Sequence, residues 1–232
     1  MKKLMSFAAI AAVSLTAQAN ASVVDLNSGA FANGEILTNQ IAGLTVSATS
    51  NGGGSSNDFA FIFDTENPIG DGDLAAPFDD PSTPVDEGFR PGNVLAIGET
   101  CNAGAGTCDV DDNGTGGVIN FDFASDVVFN SLSLFDFVTD ELTVELFDLN
   151  NNLVFSITAP NINNDTNNNP DNNLFSTIDL GGTVFRSAIF TFNGSGTIGD
   201  FDITAVPVPG ALPLFFSGVA GLAFARRQRR KA

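Results

Sequence analysis

The chain has 232 residues, with 27 acidic side chains against nine Lys or Arg, and no His, Trp or Tyr. Seven of the nine bases lie in the first three and last seven residues, so Arg90 and Arg186 are the only cations in between. Such an anionic body repels phosphate and anionic lipid, which excludes nucleic-acid binding. The absence of His removes the commonest general base and transition-metal ligand. The length fits one β-rich domain with short terminal signals.

Residues 1–21 have the pattern of a secretory signal peptide. Lys2 and Lys3 precede a short apolar run, and two small-residue triplets end at Ala19 and Ala21. Small residues at these positions fit the cleft of signal peptidase. An uncleaved anchor helix is the alternative, but the apolar run is too short to span a bilayer. We therefore predict an N-terminal signal helix that signal peptidase removes after Ala19 or Ala21.

Alternating apolar residues recur in short runs through the middle of the chain. The runs lie at residues 44–48, 59–63, 119–123, 132–134, 142–146, 154–157, 188–192 and 198–203. Gly, Asn, Asp or Pro bound them, which is typical of antiparallel strands. No interior segment has an apolar stripe of helical period over three turns. We predict an all-β domain over residues 22–205, an antiparallel β-sandwich of about ten strands with a jelly-roll topology and a core of Phe side chains.

Three connections stand out between these runs. Residues 148–152, Asp-Leu-Asn-Asn-Asn, lie between two apolar runs and predict a hairpin turn, because Asn tolerates a positive φ. Residues 161–173 are almost wholly Asn, Asp, Thr and Pro and predict an exposed loop. Residues 64–89 carry four Pro. A structureless connection of this length is uncommon, so we expect this one to be functional or mobile.

The two cysteines, Cys101 and Cys108, are separated by six small or polar residues. In an exported protein such a pair predicts a disulfide, which stabilises the fold by about 2 to 3 kcal/mol through loop closure. A two-thiolate metal site would lack further ligands, and a catalytic cysteine would lack a His.

The segment after Cys108 resembles the first half of a calcium loop. Asp109, Asp111 and Asn113 place oxygen atoms at alternate positions before Gly114, which allows a sharp turn. The twelfth position of an EF-hand loop requires Glu, but this chain has Asn120 there. The EF-hand interpretation therefore fails, and an oxygen-rich turn that fits Ca²⁺ remains.

Two further acidic groups are candidates for Ca²⁺, and ordinary solvated turns are the alternative for all three. The second candidate is Asp71 with Asp73, joined by Asp64 and Glu66, and the third is Asp136 with Asp140 and Glu141. A surface this anionic repels itself unless cations screen or bridge it, which favours at least one extracellular Ca²⁺ site.

Residues 206–232 have three successive features: a motif with Pro207 and Pro209, an apolar run over 211–225, and a basic cluster that begins with Arg226 and Arg227. A helix over the run rises about 22 Å against a hydrocarbon core of about 30 Å, so it spans only with snorkelling and local thinning. The basic cluster predicts a cytoplasmic C-terminus. A final core strand or helix is the alternative, but such an element gains nothing from five flanking cations.

This tripartite end resembles the PEP-CTERM protein-sorting signal, with Val206 where that family usually has Glu. The resemblance covers residues 206–232 alone. It implies that an exosortase-type membrane peptidase recognises Pro207 and Pro209, cleaves nearby, and releases or re-anchors the domain at the surface of a Gram-negative, exopolysaccharide-producing bacterium. Residues 194–205 resemble the closing strand of galactose-binding-like or carbohydrate-binding β-sandwiches, which implies that fold and no particular ligand.

These observations predict a non-catalytic, exported protein of the cell surface or extracellular matrix, associated with exopolysaccharide. A Ca²⁺-dependent carbohydrate-binding module is the first alternative, although Trp and Tyr, the usual sugar-stacking residues, are absent. A glycoside hydrolase that uses paired carboxylates is the second, but among 27 acids such pairs are inevitable.

Overall fold

The described part of the chain folds as antiparallel β-structure. A computed structural model describes residues 21–27, 31–52, 59–68, 74–78, 88–98, 100–108, 114–136, 142–158 and 175–206. Within these ranges it has twelve strands and no helix, which confirms the all-β antiparallel prediction. The strands are β1 Ala21–Val24, β2 Leu44–Ser50, β3 Ala60–Asp64, β4 Asn93–Ile97, β5 Cys101–Asn102, β6 Thr107–Cys108, β7 Gly117–Phe135, β8 Leu142–Phe147, β9 Leu153–Thr158, β10 Phe175–Asp179, β11 Val184–Phe192 and β12 Thr197–Ala205.

The long strand β7 belongs to two sheets. Its first half, residues 117–123, pairs with β2 on one edge and β11 on the other. Its second half, residues 127–135, pairs with β12 and β10. We call β2–β7–β11–β8–β9 the front sheet, and β10–β7–β12–β4–β3, with β1 also paired to β12, the back sheet. Sequence alternation predicted two separate runs in β7, and the structure joins them into one strand.

Phe rings fill the space between the two sheets. Phe121 of the front sheet lies 5.0 Å from Phe190 beside it and 5.0 Å from Phe201 of the back sheet, between ring centroids. Phe129 of the back sheet stacks on Phe185 at 4.8 Å. All five side chains are almost completely buried. Offset and edge-to-face ring contacts of this kind stabilise a core beyond the apolar area they bury.

Strands β3 and β4 are buried on both faces. Ala60 and Ile62 face the main core, whereas Phe61 and Phe63 pack into a second cluster on the opposite face, with the disulfide and Phe78. A strand buried on both faces is a continuous apolar run rather than an alternation. The strand predicted from the run at residues 59–63 is present as β3, whereas the run at β4 was not predicted.

The connections agree with the sequence where they are described. Asp148 accepts hydrogen bonds from the backbone N–H groups of Asn150 and Asn152, and Asn151 has a φ of 59°. The predicted turn at 148–152 is therefore present. In the irregular segment 64–89, the described residues Leu74 and Phe78 are completely buried in the second cluster.

Both terminal predictions lie almost wholly outside the described residues. These are the signal peptide over residues 1–21, of which only Ala21 is described, as the first residue of β1, and the sorting signal over residues 206–232, of which only Val206 is described. Pro207, Pro209, Arg226 and Arg227 all lie outside the described residues. The loop at 161–173 lies outside them too. Across the described ranges, no helix has the length and apolar character needed to cross a bilayer.

Candidate functional site

The predicted disulfide is present and anchors a small hairpin. Cys101 and Cys108 are bonded to each other and pair across β5 and β6. The Cys108 N–H donates to the Gly34 carbonyl at 2.8 Å, and the hairpin carbonyl of Gly106 accepts from Ile36 at 3.0 Å. A Cβ at Gly98 would collide with both sulfur atoms, so glycine allows the hairpin to lie this close to the sheet.

The predicted calcium ligands lie outside the described residues, both Asp71 with Asp73 and Asp109 with Asp111 and Asn113. Asp140 and Glu141 of the third candidate group also lie outside the described residues. Among described residues, no three His, Cys, Asp or Glu side chains are grouped closely enough to hold a metal ion.

The described members of these acidic groups have protein partners. Asp64 accepts hydrogen bonds from the Glu66 backbone and from the Asn67 amide, at 3.0 and 2.9 Å. Asp136 is 2 % exposed and accepts a 2.6 Å hydrogen bond from the Ser195 hydroxyl. Asp64 thus stabilises its own turn, whereas Asp136 joins the end of β7 to the connection between β11 and β12.

An exposed aromatic residue, Phe89, is followed in the chain by a residue that forms an exposed ion pair. Phe89 is 40 % exposed, and its ring stacks on Phe175 at 4.8 Å and on Phe135 at 5.8 Å. The next residue, Arg90, forms a 3.0 Å ion pair with Glu66, and both side chains are exposed. We call Phe89, Phe175, Arg90 and Glu66 the Phe89 surface.

The backbone holds the Phe89 surface in place. Phe78 and Phe89 exchange two backbone hydrogen bonds, at 2.8 and 2.9 Å. The Thr65 N–H and hydroxyl both donate to the Gly92 carbonyl, at 2.9 and 2.8 Å, which fixes the turn that carries Glu66. A preorganised surface with an apolar ring and charged hydrogen-bonding groups can bind a ligand that has both apolar and hydroxyl faces.

A polar network joins the end of β1 to β12 and to the start of β4. The Leu26 N–H donates to Asp200 at 2.8 Å, and the Asn27 side-chain amide donates to the Pro91 carbonyl at 2.7 Å and to Asp200 at 3.3 Å. The Asn93 side-chain amide donates to the Leu26 carbonyl at 2.9 Å. Partial burial raises the pKa of Asp200, assisted by the nearby negative charge of Asp25 and opposed by the hydrogen bonds from Leu26 and Asn27.

A cleft of about 500 Å³ opens beside this network. Its walls come from the ends of β1 and β12, the bend of β7 and the segment before β2. Most of the lining is apolar, including Phe31, Ile41, Phe123 and Ile203, and Asp25 lies at its margin. The cleft is suited to an apolar group rather than to a charged one.

Comparisons with known proteins give structural likenesses at low similarity. No family model matches the chain, and no curated protein matches it. A Streptococcus pneumoniae fucose binding module is 12 % identical over 41 % of this chain and 69 % of its own, with a TM-score of 0.27. The Clostridium perfringens protein CpGH89CBM32-6 is 10 % identical over 73 % and 98 %, with a TM-score of 0.31. A striped bass (Morone saxatilis) serum fucolectin is 10 % identical over 72 % and 47 %, with a TM-score of 0.32. Likenesses at these TM-scores assign no function to this chain.

Sequence reasoning missed the Phe89 surface and the Asn27–Asp200 network. Phe89 belongs to a composition in which Phe is the core residue, so its type alone does not indicate exposure. The available signal was Arg90, one of two cations between residues 4 and 225, directly beside an aromatic ring. The Asn27–Asp200 hydrogen bond joins residues 173 positions apart and leaves no local signal.

Proposed function

We propose that this protein is an exported, non-catalytic component of the cell surface or extracellular matrix, built on a jelly-roll-like β-sandwich and associated with exopolysaccharide. Signal peptidase removes residues 1–21, and an exosortase-type peptidase processes residues 206–232, which hold the precursor in the inner membrane until then. The disulfide supports export, because such bonds persist in oxidising compartments. The strongly acidic body suits a highly hydrated, soluble surface protein.

One observation carries the polysaccharide part of the proposal: Phe89 is exposed, and the next residue, Arg90, forms an exposed ion pair with Glu66. The apolar face of a pyranose can stack on an aromatic ring, and charged groups can donate to and accept from its hydroxyls. A neutral or anionic sugar bound here would contact the guanidinium of Arg90, one of the few cations on the surface. Phe135 and Phe175 hold the ring from beneath, so little ordering is lost on binding.

Co-sedimentation of the purified protein with its native exopolysaccharide tests this proposal. The variants Phe89→Ala and Arg90→Gln should each lower the bound fraction several-fold. Val184→Ala is the matched control, because Val184 is an apolar side chain that is 47 % exposed elsewhere on the surface. Equal retention of all four proteins, or no retention of the parent protein, would refute the role of the Phe89 surface.

Calcium-dependent carbohydrate binding is the second candidate, and one observation favours it. The disulfide to Cys101 and the hydrogen bond from the Cys108 N–H to the Gly34 carbonyl hold the residue that directly precedes Asp109, Asp111 and Asn113 in the sequence. Carboxylate and amide oxygens are the ligands Ca²⁺ prefers. The melting temperature should rise in millimolar Ca²⁺ relative to chelator and lose that rise in Asp109→Asn/Asp111→Asn. Equal melting temperatures in Ca²⁺ and chelator would contradict this candidate.

A further inference from the structure

Strand β9 forms an edge of the front sheet. It pairs with β8 on one side, and within the described residues no strand pairs with its other side. Its exposed backbone N–H and C=O groups therefore form a row that can accept another strand.

The composition of β9 favours strand addition. Its six residues, Leu-Val-Phe-Ser-Ile-Thr, include no charged residue, no Pro and no Gly. Natural edge strands usually carry Lys, Pro or inward-pointing charges that block pairing between molecules. Strand β9 carries no Lys, no Pro and no inward-pointing charge, although the chain as a whole has 27 acidic residues.

Three of the exposed large apolar side chains also lie at this edge. Leu149 in the turn is 65 % exposed, Leu153 is 52 % exposed and Val154 is 42 % exposed. The β8–β9 register shifts at Phe147, so Leu153 lies opposite Phe147 and Val154 is the additional residue of a bulge. Phe155 and Ile157 lie opposite Leu146 and Val144 and pack partly on the main core.

We propose that β9 pairs with β9 of a second copy of this chain, antiparallel and about a two-fold axis. Charge argues for this occupant, because copies that meet through most of the surface would place carboxylate against carboxylate, whereas two β9 strands bring no charge into contact. The nearest acid on the same sheet is Glu145, which lies opposite Ser156 on β8. Two copies of Glu145 would be separated by three strand spacings, about 14 Å, beyond the Debye length at physiological salt.

The pleat of the sheet fixes the register of this pairing. Paired residues of antiparallel strands share a face, and Phe155 and Ile157 both face the core. A two-fold axis through Ser156 satisfies this condition and leaves the bulge residue Val154 two positions from the axis, opposite Thr158 of the other copy. Phe155 of each copy then lies opposite Ile157 of the other, which is a favourable aromatic and β-branched pair. One strand pair buries less area than a standard interface, so the dissociation constant should be on the order of micromolar or weaker.

A single cysteine tests the pairing and its register in the full chain. In Ser156→Cys the two introduced thiols lie directly opposite, within disulfide reach, and mild oxidation should give a covalent dimer on a non-reducing gel. In Thr158→Cys the two thiols are about 13 Å apart along the strand and should give several-fold less dimer. Thr191→Cys is the matched control, because Thr191 is a partly exposed side chain of β11, a strand that is paired on both sides. Equal yields from all three variants, or no dimer from Ser156→Cys, would overturn the proposal.

Sedimentation velocity of the protein recovered from its cells gives a second readout. The parent protein should show a concentration-dependent dimer that Ser156→Asp abolishes, because two carboxylates would face each other at the axis. Thr191→Asp, in the doubly paired strand β11, should dimerise like the parent protein. A parent protein that stays monomeric at high concentration, or a dimer that Ser156→Asp leaves intact, would contradict the β9 interface.

Discussion

Strands β3 and β9 lie at the two ends of the hydrogen-bonded strand order, and their outer edges differ. At β3 the chain covers its own edge: Gly34 donates to the Ile62 carbonyl at 2.7 Å, Ile62 donates to Glu35 at 2.9 Å, and Leu37 donates to Ala60 at 2.9 Å. At β9 no described residue does the same. The covered edge carries the disulfide hairpin and the Phe89 surface, whereas the open edge carries exposed apolar residues. The proposed ligand contact thus lies at the covered edge, and the proposed self-association lies at the open edge.

The largest expected effect lies in the covered edge. Phe61 is completely buried in the second cluster, so Phe61→Ala should lower the free energy of unfolding by about 3 to 5 kcal/mol. Leu153→Ala at the open edge should change it by less than about 0.5 kcal/mol, because surface truncations away from special features cost little. Urea unfolding midpoints measure both. Similar losses in the two variants would mean that β9 is as buried in solution as β3.

Loss of the disulfide is the next effect in size. The double variant Cys101→Ser/Cys108→Ser should lose about 2 to 3 kcal/mol of stability, because the unfolded chain regains the freedom that the closed loop removes. Amide exchange should become faster first at residues 36 and 108. Their hydrogen bonds join the hairpin to residues 34–37, which pair with the outer edge of β3.

Amide exchange of β9 gives the control in the same experiment. Exchange at this strand should be unchanged by the double variant, since no described contact links it to the hairpin. Faster exchange at both edges, or unchanged stability, would show that the disulfide does not reinforce the covered edge specifically.

The smallest expected effect is on the pH dependence of stability, to which Asp200 and Asp148 contribute with opposite signs. Partial burial raises the pKa of Asp200 above 3.8, so the folded state holds this proton more tightly than the unfolded state. This group therefore adds stability as pH falls through its folded pKa. Hydrogen bonds, chiefly from the Asn152 side chain, lower the pKa of the exposed Asp148, whose contribution is present above 3.8 and is lost as pH falls.

Carboxyl-carbon NMR titration separates these two groups. The midpoint should lie above 3.8 for Asp200 and below 3.8 for Asp148. Asn27→Ala should raise the midpoint of Asp200 further, since it removes a hydrogen bond to the ionised form. Asn150→Ala, in the other turn, should leave Asp200 unchanged. A midpoint below 3.8 for Asp200 would contradict its partial burial.

The sequence was most informative where one face of a strand is buried. Residues 119–123 and 142–146 alternate because each strand has one core face and one outer face, and both were predicted as strands. Strand β4 lacked that signal because Val94 and Ala96 are buried on the face opposite Leu95 and Ile97. The disulfide followed from the pair of cysteines and their spacing.

The candidate sites were less predictable because they depend on long-range placement. The sequence located β9 as a strand, but whether a strand is an edge depends on its partners elsewhere in the chain. The position of Phe89 depends on its stacking on Phe135 and Phe175, which are 46 or more positions away in the sequence. Local periodicity carries no information on such contacts.

Mass spectrometry of the intact protein recovered from the cell surface tests the central claim most directly. Export with processing at both ends predicts a mass that lacks residues 1–21 and part or all of residues 206–232, and that is two hydrogens lower than the reduced chain because Cys101 and Cys108 are bonded. A full-length chain with two free thiols, recovered from the cytosol, would contradict export and the surface role that rests on it.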